Sequence, residues 1–188
     1  FGTFKDFDQV AVIDADIYIK PSSPNVFDTI STDCHFGAQY ERELPVNEKY
    51  KRQIIKYSPE PLTNSVCKKY EKEWDFDHPN GGAFFNSGML VYNCAPMLEK
   101  LGSTTPKRFM QRPEFRDFID GIGPFRWQTD QIMLNYWAKK DNLTVEEVDW
   151  KYNALFSALE PGKISEAHFV HFFMRHKLPK NGECIDEL

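Results

Sequence analysis

Val10-Ala11-Val12-Ile13 is a short apolar run with three β-branched members, and it stops abruptly on Asp14-Ala15-Asp16. Such a run suits a strand buried on both faces of an α/β sheet. In open α/β sheets ligands bind beyond the carboxyl ends of the strands, so two acids at this point stand where chemistry usually occurs. If strand geometry persists through them, residues 14 and 16 share a face and present two carboxylates together. Hard divalent cations take oxygen ligands, and Mg²⁺ is commonly shared between one or two carboxylates and substrate phosphates. Ordinary loop or capping aspartates give the same pattern, so on this segment alone both readings stand.

Further along, the chain alternates strand and helix signals. Pro21-Ser22-Ser23-Pro24 breaks regular structure ahead of a helical turn through Val26, Phe27 and Ile30. Residues 40 to 79 are polar and proline-bearing, with a helix expected over 47–56 and a long loop after it that is either solvated surface or a carrier of substrate contacts. Gly88 to Tyr92 reads as a second buried strand, Ala95 to Leu101 as a short helix, and Thr144 to Val148 and His168 to Phe172 as further strands. The clearest helix runs from Trp127 to Lys140: Ile132, Leu134, Tyr136 and Trp137 recur within about two turns, and Lys139-Lys140 sit where the helix dipole favours cations. Alternation of this kind favours a single α/β domain over residues 1–188. A doubly wound sheet places several strands before its switch point, so the amino-terminal nucleotide-binding strands are expected to be missing.

Composition removes several alternatives. Hydrophobic residues make up 41% and charged residues 27%, which is the balance of a folding chain rather than a disordered one. A formal charge of -5 offers no general attraction to nucleic acid. The four cysteines are widely spaced without a CxxC pair, which suggests reduced thiols rather than a zinc knuckle or a disulfide scaffold. No run approaches the length of a membrane span, so a soluble chain is expected, with the cytoplasm favoured and the compartment left open.

His171 lies within Phe169-Val170-His171-Phe172-Phe173, followed by Arg175, His176 and Lys177. A histidine among aromatics is ordinarily a satisfied core residue. Imidazole is nevertheless a good partner for Mn²⁺-like metals beside carboxylates, and Lys177 is a compact cation suited to phosphate oxygen.

Several segments, in order, resemble the retaining glycosyltransferase family that contains glycogenin and the bacterial lipopolysaccharide galactosyltransferases, family 8. Phe7 through Asp16 is similar to that family's strand and D-x-D segment, and Phe85-Asn86-Ser87-Gly88 with Met89 to Asn93 to its FNSG strand. Gln128-Thr129-Asp130-Gln131 with Leu134-Asn135 resembles the D-Q-x-x-L-N helix start, and Tyr152-Asn153 a short Y-N element. His171-Phe172 with Lys177 resembles the closing H-x-x-G-x-x-K-P-W segment. The resemblance implies the GT-A fold, a Rossmann-like nucleotide-diphospho-sugar transferase with a mostly parallel central sheet flanked by helices. It implies that Asp14, Asp16 and His171 hold Mn²⁺ (or Mg²⁺) on the diphosphate of a UDP-sugar. Ala15 would lie against that cofactor, and Lys177 would touch the diphosphate. Asn86, Asp130 and Gln131 would line the reaction centre and orient donor hydroxyls. Read alone, Asn86 is equally a turn residue before a strand and Asp130 a first-turn helix acid.

The chain departs from the pattern in places. Met174 stands where the family has Gly, Leu178 precedes Pro179 where the family has Pro and Trp, and Trp127 replaces a smaller residue before the D-Q pair. The expected activity is transfer of a hexosyl group from a UDP-sugar to a glycan, protein or lipid-linked acceptor hydroxyl, with anomeric retention. Two other classes fit less of the chain. One is a haloacid-dehalogenase-like phosphohydrolase, which also places D-x-D after an apolar strand and would use Asp14 as nucleophile and Asp16 as acid/base. The other is a non-catalytic carbohydrate- or UDP-binding domain.

Overall fold

The computed structural model describes residues 5–57, 74–120 and 129–173. These residues form a mixed α/β structure with two sheets. The larger sheet has the order β1 (Gln9–Ile13), β4 (Phe85–Asn93), β3 (Phe36–Tyr40), β5 (Val145–Glu147). The smaller has the order β2 (Ile17–Ile19), β7 (Phe169–His171), β6 (Ala154–Leu155). Five α-helices are described: α1 (Glu48–Tyr57), α2 (Cys94–Leu101), α3 (Pro106–Met110), α4 (Arg116–Ile119) and α5 (Thr129–Lys140). None of them is long and apolar enough to cross a membrane.

The α/β alternation expected from the sequence is present, but the strand directions differ from a mostly parallel sheet. Among the described strands β1/β4, β3/β4 and β2/β7 are antiparallel, while β3/β5 and β6/β7 are parallel. The reason lies in β4, which follows a long excursion after β3 and enters between β1 and β3 running against both.

β4 is the strand that organises the core. Its side chains alternate faces, as the two-residue period of a strand requires. Leu90 and Tyr92 pack with Phe36, Phe109, Ile132 and Trp137 on the side covered by α5. Met89 and Val91 pack with Val26, Ile30, Val148 and Phe169 on the other side. β1 is different from the strand expected there, because Val12 and Ile13 are exposed rather than buried on both faces. Among the described residues β4 is its one neighbour in the sheet, so the apolar composition that suits a central strand is half covered by them.

β3 and β6 carry no clear strand signal in the sequence, whereas β2 is built of strand formers but is only three residues long. Phe36-Gly37-Ala38-Gln39-Tyr40 holds residues that are poor strand formers in isolation, and its conformation is set by pairing with β4 on one side and β5 on the other. The helix expected at 47–56 forms as α1, with the Asn47 side chain accepting from the Tyr50 backbone N–H at its start. The clearest predicted helix forms as α5, and Trp127 and Gln128 lie outside the described residues.

β1 pairs β4 over Met89 to Asn93, and beyond that stretch a side chain of α5 serves the strand. Asn135 Oδ1 accepts from the Phe85 backbone N–H at 3.0 Å, and its Nδ2 donates to the Phe85 carbonyl at 2.9 Å, as a neighbouring strand would. The same Nδ2 also donates to the Gln131 carbonyl at 2.9 Å. Asn135→Leu keeps the size of the side chain and strands a buried N–H and a buried C=O. It is expected to lower unfolding free energy by about 2–4 kcal/mol, read from urea denaturation. A loss of less than about 0.5 kcal/mol, the size of an ordinary surface change, would contradict this account of how α5 is fixed to β4.

Candidate metal centre

The two sheets meet at residues 14–16. Strand geometry stops at Ile13, and Asp14 to Ile17 form a turn in which the Ile17 N–H donates to the Asp14 carbonyl at 3.2 Å. The two carboxylates are therefore brought together by this turn and not by strand alternation, which corrects the geometric reading of the sequence. The turn is tied down at both ends. The Asp14 N–H donates to the Gly88 carbonyl of β4 at 2.8 Å, and the Asp16 carbonyl accepts from Phe172 N–H, just past β7, at 2.9 Å. Ala15 sits exposed at its tip.

His171 closes the group from the last described strand. Its register against Ile17 in the β2/β7 ladder aims the ring back at the turn. Nε2 lies 3.3 Å from Asp16 Oδ1 and 3.7 Å from Asp14 Oδ2. One ligand atom from each residue falls within 4.8 Å of the other two, and among the described residues no other cluster of three acids, histidines or cysteines does so. The imidazole is buried while both carboxylates reach solvent, so the group is walled on one side and open on the other.

The electrostatics of the group favour a positive guest. Burial raises the Asp14 carboxyl above its ordinary value, and the neighbouring charges of Asp16 and then Asp130 push it the same way. Burial lowers the His171 imidazole, against the opposing charge and hydrogen bond of Asp16. Two carboxylate oxygens and an imidazole nitrogen form a donor set that suits Mn²⁺ or Mg²⁺ better than a soft metal. The residues present fit the cation that the sequence reading calls for.

Glycine at position 88 makes room for the ring. A Cβ built there would overlap His171 Cε1 and stand 2.7 Å from Nδ1 and 2.9 Å from Asn86 Oδ1. No larger side chain fits without moving the imidazole.

Asn86, Gln131 and Asp130 come to the same region. Asn86 lies within β4 rather than in a turn before it, and its Oδ1 accepts from the Gly88 N–H at 2.9 Å. Gln131, in the first turns of α5, accepts from the Ser87 N–H at 3.1 Å. Asp130 is exposed in the first turn of α5, close enough to Asp14 to raise its carboxyl. Lys177, Met174 and Leu178 lie outside the described residues.

Two buried residues in this network carried no assigned role in the sequence reading. Glu41 follows β3 in a short 3₁₀ turn, and its Oε1 accepts from Asn86 Nδ2 at 3.1 Å and Gln131 Nε2 at 3.2 Å. It fell inside a stretch that reads as polar surface, and nothing local distinguishes it from a solvated glutamate. Asn153 is fully buried, donates from Nδ2 to Asn86 Oδ1 at 3.0 Å and meets His171 Nδ1 through Oδ1 at 2.9 Å. The Tyr152-Asn153 resemblance was its single signal.

Burial pushes the Glu41 carboxyl up, with the Asn86 and Gln131 hydrogen bonds acting the other way. A folded-state value above the unfolded one means that stability is fully present below the unfolded carboxyl range and is lost as pH rises through the folded value. Glu41→Gln removes that loss. The variant is expected to be more stable than the parent at pH 7 and equal to it below about pH 4, measured by urea melts at the two pH values.

No family model matches the chain, and no curated protein matches it. Solved structures that resemble it are glycosyltransferases. The bifunctional glycosyltransferase WbbM in its apo form has a TM-score of 0.46 at 12% identity, over 90% of this chain and 29% of that one. The galactosyltransferase LgtC, in complex with donor and acceptor sugar analogues, has a TM-score of 0.41 at 14% identity, over 93% of this chain and 58% of that one. Mouse xyloside xylosyltransferase 1 has a TM-score of 0.42 at 16% identity, over 89% of this chain and 58% of that one. The chain thus spans between 29% and 58% of the length of these structures.

Proposed function

We propose that this chain carries the metal centre of a glycosyltransferase of the GT-A type. It would transfer a hexosyl group from a UDP-sugar to an acceptor hydroxyl with retention of anomeric configuration. The observation that carries the reading is the meeting of His171 with Asp14 and Asp16, two acids of one turn far from it in sequence, with the three ligand atoms within 4.8 Å of one another. When bound, Mn²⁺ or Mg²⁺ supplies Lewis-acid stabilisation of the charge that develops on the departing diphosphate.

The residues of the chain do the rest. Asp14 and Asp16 give anionic oxygen ligands on the open side of the site, and His171 gives a nitrogen from the walled side. Asp130 stands beside the carboxylate pair with its side chain exposed, which suits an acceptor for donor-sugar hydroxyls. Asn86 and Gln131 are held by backbone N–H groups of β4, so their polar edges are fixed before any sugar arrives. Lys177 would add a cation at the diphosphate. Retention by departure and attack on one face needs no protein nucleophile, whereas double displacement would draw on Asp130 or Gln131.

The test is a panel of UDP-sugars incubated with the intact protein and Mn²⁺, reading free UDP and the anomer of any product by proton NMR. UDP release that stops on chelation, with retained product configuration, is the expected result. Turnover of p-nitrophenyl phosphate with no UDP-sugar consumed would replace this reading with the phosphohydrolase. Mn²⁺-dependent UDP binding without turnover would replace it with the binding module.

A further inference from the structure

The amides around the metal centre form a chain whose direction is set by backbone donors. Gly88 N–H points at the Asn86 side chain, 2.9 Å from its Oδ1, so the oxygen and not the nitrogen of that amide must face it. The Asn86 Nδ2 is then turned toward Glu41 Oε1 at 3.1 Å. Asn153 meets the same Asn86 oxygen with its Nδ2 at 3.0 Å, which leaves Asn153 Oδ1 facing His171 Nδ1 at 2.9 Å. An amide oxygen only accepts hydrogen bonds, so Nδ1 must carry the ring proton. The far nitrogen, Nε2, is left with its lone pair directed at the two carboxylates, where a cation would sit.

We infer that Glu41, Asn86 and Asn153 are positioning residues that hold His171 in its Nδ1–H tautomer, the form able to donate Nε2 to a metal. Without this chain the opposite tautomer is favoured, because an Nε2–H would hydrogen-bond Asp16 Oδ1 across 3.3 Å. Such a proton occupies the position of the cation. Glu41 matters because two amide nitrogens, from Asn86 and Gln131, converge on its one oxygen. An acceptor there keeps Asn86 from turning over, and that acceptor need not be charged. Outer partners of this kind commonly change metal affinity about 10–100-fold when removed.

The tautomer can be read without metal or substrate. Long-range proton–nitrogen correlation spectra of the intact, metal-free protein with ¹⁵N-labelled histidine, at a pH where the ring is neutral, distinguish the two forms. The His171 signals are identified by their absence in His171→Gln. The wild-type ring is expected to be protonated at Nδ1, and Glu41→Gln, which keeps an oxygen in place, is expected to preserve that pattern. Asn153→Ala and Glu41→Leu are expected to shift the ring toward Nε2–H and to weaken Mn²⁺ binding about 10–100-fold in a calorimetric titration. A wild-type ring protonated at Nε2 would overturn the inference, even if every variant failed to fold. Unchanged tautomer in a folded Asn153→Ala would overturn it as well. The affinity arm rests on reading Asp14, Asp16 and His171 as one cation site. An Nδ1–H ring in a protein that binds no Mn²⁺ would uphold the positioning chain and remove the metal reading.

Discussion

Asp16→Ala is expected to lower metal-dependent UDP-sugar turnover by about 10²–10³-fold, the scale of losing a main electrostatic stabiliser of the leaving group. The variant should fold, because what holds the turn is backbone. The Asp16 carbonyl keeps its bond from Phe172 N–H, and the Asp14 carbonyl keeps its bond from Ile17 N–H. What goes is one anionic oxygen 3.3 Å from His171 Nε2. The same substitution should slightly stabilise the metal-free protein at neutral pH. Asp16 raises the Asp14 carboxyl, and a raised carboxyl costs stability wherever it is ionised, so relief comes above the ordinary aspartate range and vanishes below it. Activity falling while metal-free stability holds or rises is the signature of a site that is costly when empty. Normal turnover in Asp16→Ala would remove the central claim.

Gly88→Ala is expected to be as damaging through volume alone. The added methyl has no free space: it overlaps His171 Cε1 and lies 2.7 Å from Nδ1 and 2.9 Å from Asn86 Oδ1. The backbone there cannot retreat, since Gly88 N–H is bonded to Asn86 and its carbonyl to Asp14 N–H. The ring must therefore move, breaking its contact with Asn153 and carrying Nε2 away from the carboxylates. A stability loss of about 1–3 kcal/mol is expected from overpacking. Mn²⁺ affinity should fall at least about 100-fold, since both the ligand and its partner are displaced. Urea melts and a Mn²⁺ titration on the same sample separate the two effects. An alanine variant that binds Mn²⁺ like the parent would show that the ring is not seated as described.

How much of this was legible beforehand follows from the range over which each signal acts. β1, β4, β5, β7 and the helices α1, α2 and α5 were marked by local pattern, and each formed within a few residues of its expected place. β3 was not, because Gly37 and Gln39 have little strand preference and the strand exists through its two neighbours. The exposure of β1 has a related cause: composition says that Val12 and Ile13 are apolar, but not what lies across from them. Asp14, Asp16 and His171 were visible as residue types, and their resemblance to a known set joined them. The turn that brings the acids together was not visible, since it depends on hydrogen bonds from β4 and the end of β7. Glu41 and Asn153 were hidden because a buried polar residue has no sequence pattern of its own; its partners come from 18 to 90 positions away.

The most direct measurement is pulsed electron paramagnetic resonance of Mn²⁺ added to the intact protein, with and without UDP. A single bound Mn²⁺ showing modulation from one imidazole nitrogen is expected, with the modulation lost in His171→Gln and binding weakened in Asp14→Ala. Mn²⁺ bound without any histidine nitrogen, or no Mn²⁺ bound even with UDP present, would contradict the account.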